Sequence, residues 1–260
     1  MLEESCERIN SPACSAPLVS PSLTGSENLG PLAYEMKFLV PEGTASRIQH
    51  WARQHLGIDP HADPHRNDGY ETTTLYLDTP AFDVYHRTVG FRRRKYRVRR
   101  YNNASTLFME CKTRRGDEVA KHRCSLPLED VARFGTTETD PAWTAVEYHR
   151  ALLERALRPS CRMTYHRSAF LGKDRSGSLR LTLDREIRGT LSDEWNTTPL
   201  ATGTRILENE VICELKFRDS LPTLFKNFVA EFGLETSAVS KYRRLLSALG
   251  FVPPGESSNV

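Results

Sequence analysis

The chain has 260 residues, 38% hydrophobic and 27% charged, with a formal net charge of only +3. This is ordinary globular composition, with room for one large domain or two small ones. It excludes a globally basic nucleic-acid coat, and no apolar run approaches the ~18 residues of a membrane-spanning helix. The six cysteines form no C-x-x-C pair, so no zinc framework is read. Cys111 and Cys213 alternate with apolar residues, as small buried hydrophobes of a reducing, cytoplasmic compartment do. The opening MLEESCERIN is acidic, has no apolar core and does not read as a secretory signal.

Residues 1–31 are rich in Ser, Pro and Gly and are expected to form a disordered arm. One folded domain is expected over 32–251, then a flexible tail over 252–260. Strands are expected at 34–40, 70–78, 92–101, 105–113, 118–126, 161–170, 179–187 and 209–217, each alternating in character or rich in Val, Thr and aromatics. Helices are fewer. The segment 44–56 puts Ile48, Trp51, Ala52, His55 and Leu56 on one stripe, and 143–157 is a second helix. A third, 220–233, opens with Ser220 near its cap and Pro222 in the first turn, and closes at Gly233. The last, 237–250, stops at Gly250. DPHADPHRND (59–68) spaces His61 and His65 as metal ligands can be spaced, but between a helix and a strand it reads as a solvated loop.

The run GFRRRKYRVRRY (90–101) contains no acid. As a strand it places Arg93, Lys95, Arg97 and Arg99 on one face. Such neighbours sit roughly 6.6 Å apart and repel by about 2.5 kcal/mol per pair at an effective dielectric near 20. Three further strands carry E-x-K: Glu35/Lys37, Glu110/Lys112 and Glu214/Lys216. The opposite faces are apolar: Leu107, Met109 and Cys111; Leu179, Leu181 and Leu183; Val211, Cys213, Leu215 and Phe217. Eight antiparallel strands can close into a barrel. With charged faces inward and helices packed on its apolar outside, the barrel is a tunnel for a chain of phosphates. A basic nucleic-acid patch or nuclear signal also fits the arginine run, but leaves the E-x-K strands unexplained.

The stretches YEMKFLV, YETTTLYLDTPAFDVY, KYRVRRY, FMECKT, RPSCRMTYHRSAF, RLTLDREI, CELKF and SKYRR occur in the order of a known family. Over roughly residues 33–250 the chain resembles the VTC domain, named for the vacuolar transporter chaperone complex, of the CYTH-like triphosphate tunnel metalloenzymes. The resemblance implies an α+β, mainly β fold: an eight-stranded antiparallel closed barrel with helices outside. It implies transfer of the γ-phosphate of ATP onto growing inorganic polyphosphate, with Mn2+ or Mg2+. Carried across, the catalytic set is Lys37, Arg97, Arg99, Lys112, Arg167 and Lys216. The phosphate-binding set is Glu35, Lys95, Arg162, Tyr165, Arg180 and Lys241, and the metal ligands are Glu214 and Asp184. For Asp184, neutralising a lining arginine is the equal alternative. Where other branches of the superfamily start E-x-E-x-K, this chain has Ala33 in place of the first acid.

The expected partners are ATP and inorganic polyphosphate, with no nucleic acid; the chain has no membrane span of its own, and a membrane-protein partner is left open. No P-loop signature occurs. A polyphosphate end is already an anionic nucleophile and needs no general base, whereas a hydrolase must orient water. Many cations with few free acids favour the transferase. A triphosphate hydrolase or cyclase and a non-catalytic polyphosphate-binding module are the alternatives.

Overall fold

The computed structural model describes residues 33–115, 118–175 and 177–250. The expected N-terminal arm and C-terminal tail lie outside the described residues. Ten strands and five α-helices are described. The strands are β1 (Ala33–Pro41), β2 (Gly57–Ile58), β3 (Gly69–Asp78), β4 (Arg94–Tyr101), β5 (Thr106–Arg115), β6 (Glu118–Pro127), β7 (Arg158–Asp174), β8 (Gly177–Leu191), β9 (Thr204–Arg205) and β10 (Glu210–Phe217). The helices are α1 (Glu42–His55), α2 (Asp83–His86), α3 (Val146–Glu154), α4 (Thr223–Glu231) and α5 (Lys241–Ala248).

All pairings are antiparallel. The order β7-β3-β4-β5-β6-β1-β10-β8 returns on itself, because β8 also pairs with β7. The eight expected strands thus form a ring of pairings. Its thinnest seam joins β1 to β6 through Ala33↔Val119 and Tyr34↔Glu118 alone. The β4 strand begins at Arg94, so Arg93 lies in the preceding turn and is exposed, outside the expected cationic row. Helix α4 begins after Pro222, with no side-chain cap, so Ser220 does not cap it.

The apolar faces point outward and are covered. Ala45, Ile48, Trp51 and Ala52 of α1, with Phe225 and Phe228 of α4, pack on Phe38, Leu181, Leu183, Cys213 and Leu215 of the wall. On the other side Leu75, Val98, Met109 and Leu126 meet Phe134, Trp143 and Leu152. Burial of a large apolar side chain is worth about 1.5–3 kcal/mol, so this outer shell sets which strand face turns inward.

A bulge sets the charge register inside. Thr164 pairs with Arg188 and His166 with Arg185, so Tyr165 of β7 faces two residues of β8. Glu186, at φ +51, absorbs the extra length. Arg167 therefore lies opposite Asp184. Without the bulge it would lie opposite Arg185, a like-charge pair.

Helix α5 closes one end of the barrel. Tyr76 of β3 stacks on Tyr242 at 5.3 Å, and Met163, Cys161 and Ile212 share a cluster with Tyr242, Val239 and Leu245. Gly189 makes room for this plug: a Cβ there would stand 2.4 Å from Leu245 Cδ2 and 3.0 Å from the Arg162 carbonyl. Gly189→Ala is expected to lower stability by about 1–3 kcal/mol through overpacking, read as a fall in melting temperature. A variant as stable as the parent would show that α5 is not seated against this strand.

Candidate active site

The inward faces carry charge on nearly every strand, organised around four carboxylates. Glu110, fully buried on β5, meets Arg97 and Arg123 at 2.7 and 2.6 Å, Lys121 at 3.6 Å and Arg99 at 3.8 Å. Glu35 of β1 pairs with Lys112 at 2.5 Å and Lys216 at 3.7 Å. Glu214 of β10 pairs with Lys216 at 2.9 Å and Lys37 at 3.5 Å. Asp184 of β8 accepts two bonds from Arg167, at 2.6 and 2.8 Å, and one from Lys241 at 2.5 Å. Farther along, Arg180 is held by Asp59 at 2.8 Å and the Tyr70 hydroxyl at 2.9 Å.

Cations outnumber these acids about two to one, and the imbalance shows in proton affinities. Burial, Lys37 and Lys216 outweigh Glu35 and Glu214 and lower Lys112 to about 7. Burial lowers Lys121 to about 8 despite Glu110. Lys95 falls well below the ordinary lysine value through burial and the charges of Lys37, Lys112, Arg97 and Arg87. The carboxylates move oppositely. Burial pushes Glu110 up, but its four cations hold it well below the usual range. Glu35 rests at about 2, with Lys112, Lys216 and Lys37 overcoming burial and Glu214. Burial raises Tyr101, yet Arg99, Arg123 and Lys121 bring it to about 7. Such a surplus of confined positive charge is the physical signature of a polyanion receptor.

Most of the residues inferred from sequence come together here. Lys37, Arg97, Arg99, Lys112, Arg167 and Lys216 all enter the network. Tyr165 lies between Arg167 and Lys241, at 5.4 and 4.9 Å from its ring centre. Lys95 donates to Ser240 Oγ at 3.0 Å, at the plugged end. Arg162 is not part of the site: it pairs with Leu75 and Thr190, on the opposite parity to Tyr165 and Arg167, so it belongs to the outer face. Arg162 and Tyr165 share one sequence motif, but strand alternation sends residues 162 and 165 to opposite faces. Glu35 is not a phosphate contact, since a carboxylate repels phosphate; it balances Lys112 and Lys216. Asp184 neutralises Arg167 and Lys241 with both its oxygens, the second of the two roles expected for it.

Lys121 and Arg123 were missed. Their K-x-R spacing on β6 carries the same signal as Arg97/Arg99, in a strand without a flanking arginine run. The loop 59–68 is only partly solvated. His61 and His65 are exposed, but Asp59 is buried against Arg180, and Asp68 is buried and accepts from Arg53 at 2.6 Å.

Among the described residues no group of three or more His, Cys, Asp and Glu side chains forms a metal cage. Glu35 and Glu214 nevertheless converge on one ammonium, Lys216. Two carboxylates meeting at a cation would suit Mn2+ or Mg2+, hard cations that prefer oxygen ligands.

A ring of antiparallel strands with a charged bore and a helical plug defines the triphosphate tunnel class. The VTC domain family matches residues 32–249, and the chain belongs to that family. None of the curated proteins matches it. Among solved structures, a candidate adenylate cyclase of Bacillus halodurans aligns with TM-score 0.51 and 13% identity, over 80% of this chain and 92% of its own. A candidate adenylyl cyclase of Hippeastrum, described with a dominant triphosphatase activity, aligns with TM-score 0.49 and 12% identity, over 87% and 99%. The first of these supports the fold alone.

The depressed lysines predict proton-coupled binding. A polyanion favours their charged forms, so the complex binds more protons than the free protein above about pH 7. Tripolyphosphate should therefore bind more weakly as pH rises from about 7 to 9. Calorimetric titration near pH 8 in buffers of different ionisation heat should show net proton uptake. Equal heats in both buffers would contradict the assignment.

Proposed function

We propose that the chain is a polyphosphate polymerase, which transfers the γ-phosphate of ATP to the end of an inorganic polyphosphate chain inside the tunnel. The observation that carries this reading is the state of the tunnel's carboxylates. Glu35, Glu110, Asp184 and Glu214 are each engaged by at least two cations. Position 33, at the start of β1, is alanine. No carboxylate of these four is left over to orient a hydrolytic water, and a polyphosphate end needs no such base.

Arg97, Arg99 and Arg167 suit bidentate contacts to phosphate oxygens, while Lys37, Lys112 and Lys216 act as point charges. Held before the substrate arrives, they stabilise charge on the transferring group without reorganisation. They also align the chain end with the nucleotide along one axis. Mn2+ or Mg2+, held by Glu214 and Glu35, would supply Lewis-acid neutralisation of the phosphate oxygens. ATP and polyphosphate are the partners of this reading. No helix among the described residues is long and apolar enough to cross a membrane.

Incubation with γ-labelled ATP and Mn2+ tests the proposal. The label should run as a ladder of chains on a gel, with orthophosphate a minor product. Label found only in orthophosphate would make the protein a hydrolase, and tight polyphosphate binding without turnover would make it a binding module. Glu214→Gln keeps the shape and removes the charge. It should slow turnover about a hundredfold while nucleotide binding survives on the cations. Full activity in that variant would remove Glu214 from the mechanism.

A further inference from the structure

Two buried hydroxyls on the inner faces of the strands, those of Thr72 and Thr182, have no hydrogen-bond partner among the described residues. Thr72 begins a run of three buried threonines on β3, and its neighbours differ from it. Thr73, on the outer face, shares a hydrogen bond of 3.2 Å with the Thr164 hydroxyl, which also accepts from the Leu200 backbone at 2.9 Å. Thr74, on the inner face, accepts from Arg99 Nε at 3.3 Å. Thr72 shares that inner face and bonds to nothing. Thr182 of β8 stands between Arg180 and Asp184 on one face, opposite Glu214 of β10 and Ala169 of β7.

Strand propensity does not account for these two hydroxyls. Valine has the same shape, favours strands as well and brings no polar atom to bury. A buried polar group left unpaired is destabilising. The burial of both threonines is that of the bore itself, since Arg99, Arg167 and Glu214 are buried there too. Their placement brackets one side chain. On β7, Thr72 pairs with Tyr165 and Thr182 with Ala169, and Arg167 lies midway. Four residues of strand span about 13 Å. A linear phosphate gripped by Arg167 extends towards both hydroxyls, whereas a single phosphate reaches one.

We propose that Thr72 and Thr182 are substrate-binding residues, each hydroxyl donating a hydrogen bond to a phosphate oxygen on its side of Arg167. The proposal deepens the polymerase reading, on whose linear phosphate substrate it rests, and gives the tunnel two neutral donors beside its cations. A hydroxyl adds no charge to the crowded empty bore. Its charge-assisted bond forms only when phosphate arrives. The free protein therefore holds two unpaired polar groups, and the complex pairs them.

The test sets calorimetric titration with tripolyphosphate and orthophosphate beside the melting temperature of the ligand-free full chain. Thr72→Val and Thr182→Val keep the shape and remove the hydroxyl. Each should bind tripolyphosphate about tenfold more weakly, while its ligand-free melting temperature stays level or rises. Thr72→Ser and Thr182→Ser keep the hydroxyl and lose a methyl. They should melt lower and bind tripolyphosphate within about twofold of the parent. Thr73→Val, on the outer face, should melt lower for want of its bond to Thr164 and bind as the parent does. The double variant Thr72→Val/Thr182→Val should lose about a hundredfold for tripolyphosphate and at most about tenfold for orthophosphate. Unchanged tripolyphosphate affinity in either valine variant, serine variants that bind as weakly as the valine ones, or an equal loss for both anions in the double variant would overturn the proposal. So would a lower ligand-free melting temperature in the valine variants, because the hydroxyls would then be bonded inside the protein through buried water. Should the parent make only orthophosphate, the polymerase reading would fall, and the binding comparison would still decide the two hydroxyls.

Discussion

Like charges held inside a ring of strands repel, and water cannot reach them well enough to screen that repulsion. The tunnel meets this constraint with a few internal carboxylates, each shared between cations. Glu110 is the extreme case, enclosed by Arg97, Arg99, Lys121 and Arg123. Breaking a buried pair by removing one partner costs about 3–5 kcal/mol, so these acids hold the empty bore together. They do not neutralise it. Burial and neighbouring cations lower the proton affinity of Lys95, Lys112 and Lys121, and cations still outnumber the acids about two to one, which leaves the site short of negative charge. A polyphosphate chain would supply that charge in a linear array, which is the chemistry the proposed function draws on.

The rest of the architecture keeps the arrangement in place. Alternating strands turn charge inward because helices α1 and α4 and the segment around Phe134 and Trp143 bury the apolar faces outside. The bulge at Glu186 brings Asp184, and not Arg185, against Arg167. Helix α5 plugs one end with Tyr242 and Leu245 while sending Lys241 back to Asp184. Packing outside and electrostatics inside are thus set by the same period-two pattern.

That period made much of this visible in the chain itself. Eight strands, the apolar outer faces and the E-x-K inner faces can be read from alternation, because a half-buried strand repeats every second residue. What alternation does not carry is register. Arg162 sits three residues from Tyr165, close in sequence and on the opposite face of β7. Asp184 looks like a metal ligand in the chain, and only the pairing of β7 with β8 reveals Arg167 beside it. Lys121 and Arg123 carry a short signal that gains meaning once β6 is seen beside β5 and Glu110. The small elements at 57–58, 83–86 and 204–205 are too short for periodicity to mark.

The central claim is that the bore is a receptor for linear phosphate, and ligand-induced stabilisation measures it most directly. An anion that binds only the folded state raises the melting temperature by mass action. At matched ionic strength tripolyphosphate should raise it substantially and orthophosphate far less, with the difference lost in Arg97→Ala/Lys112→Ala. Equal shifts from the two anions, or a tripolyphosphate shift that survives in that double variant, would contradict the account.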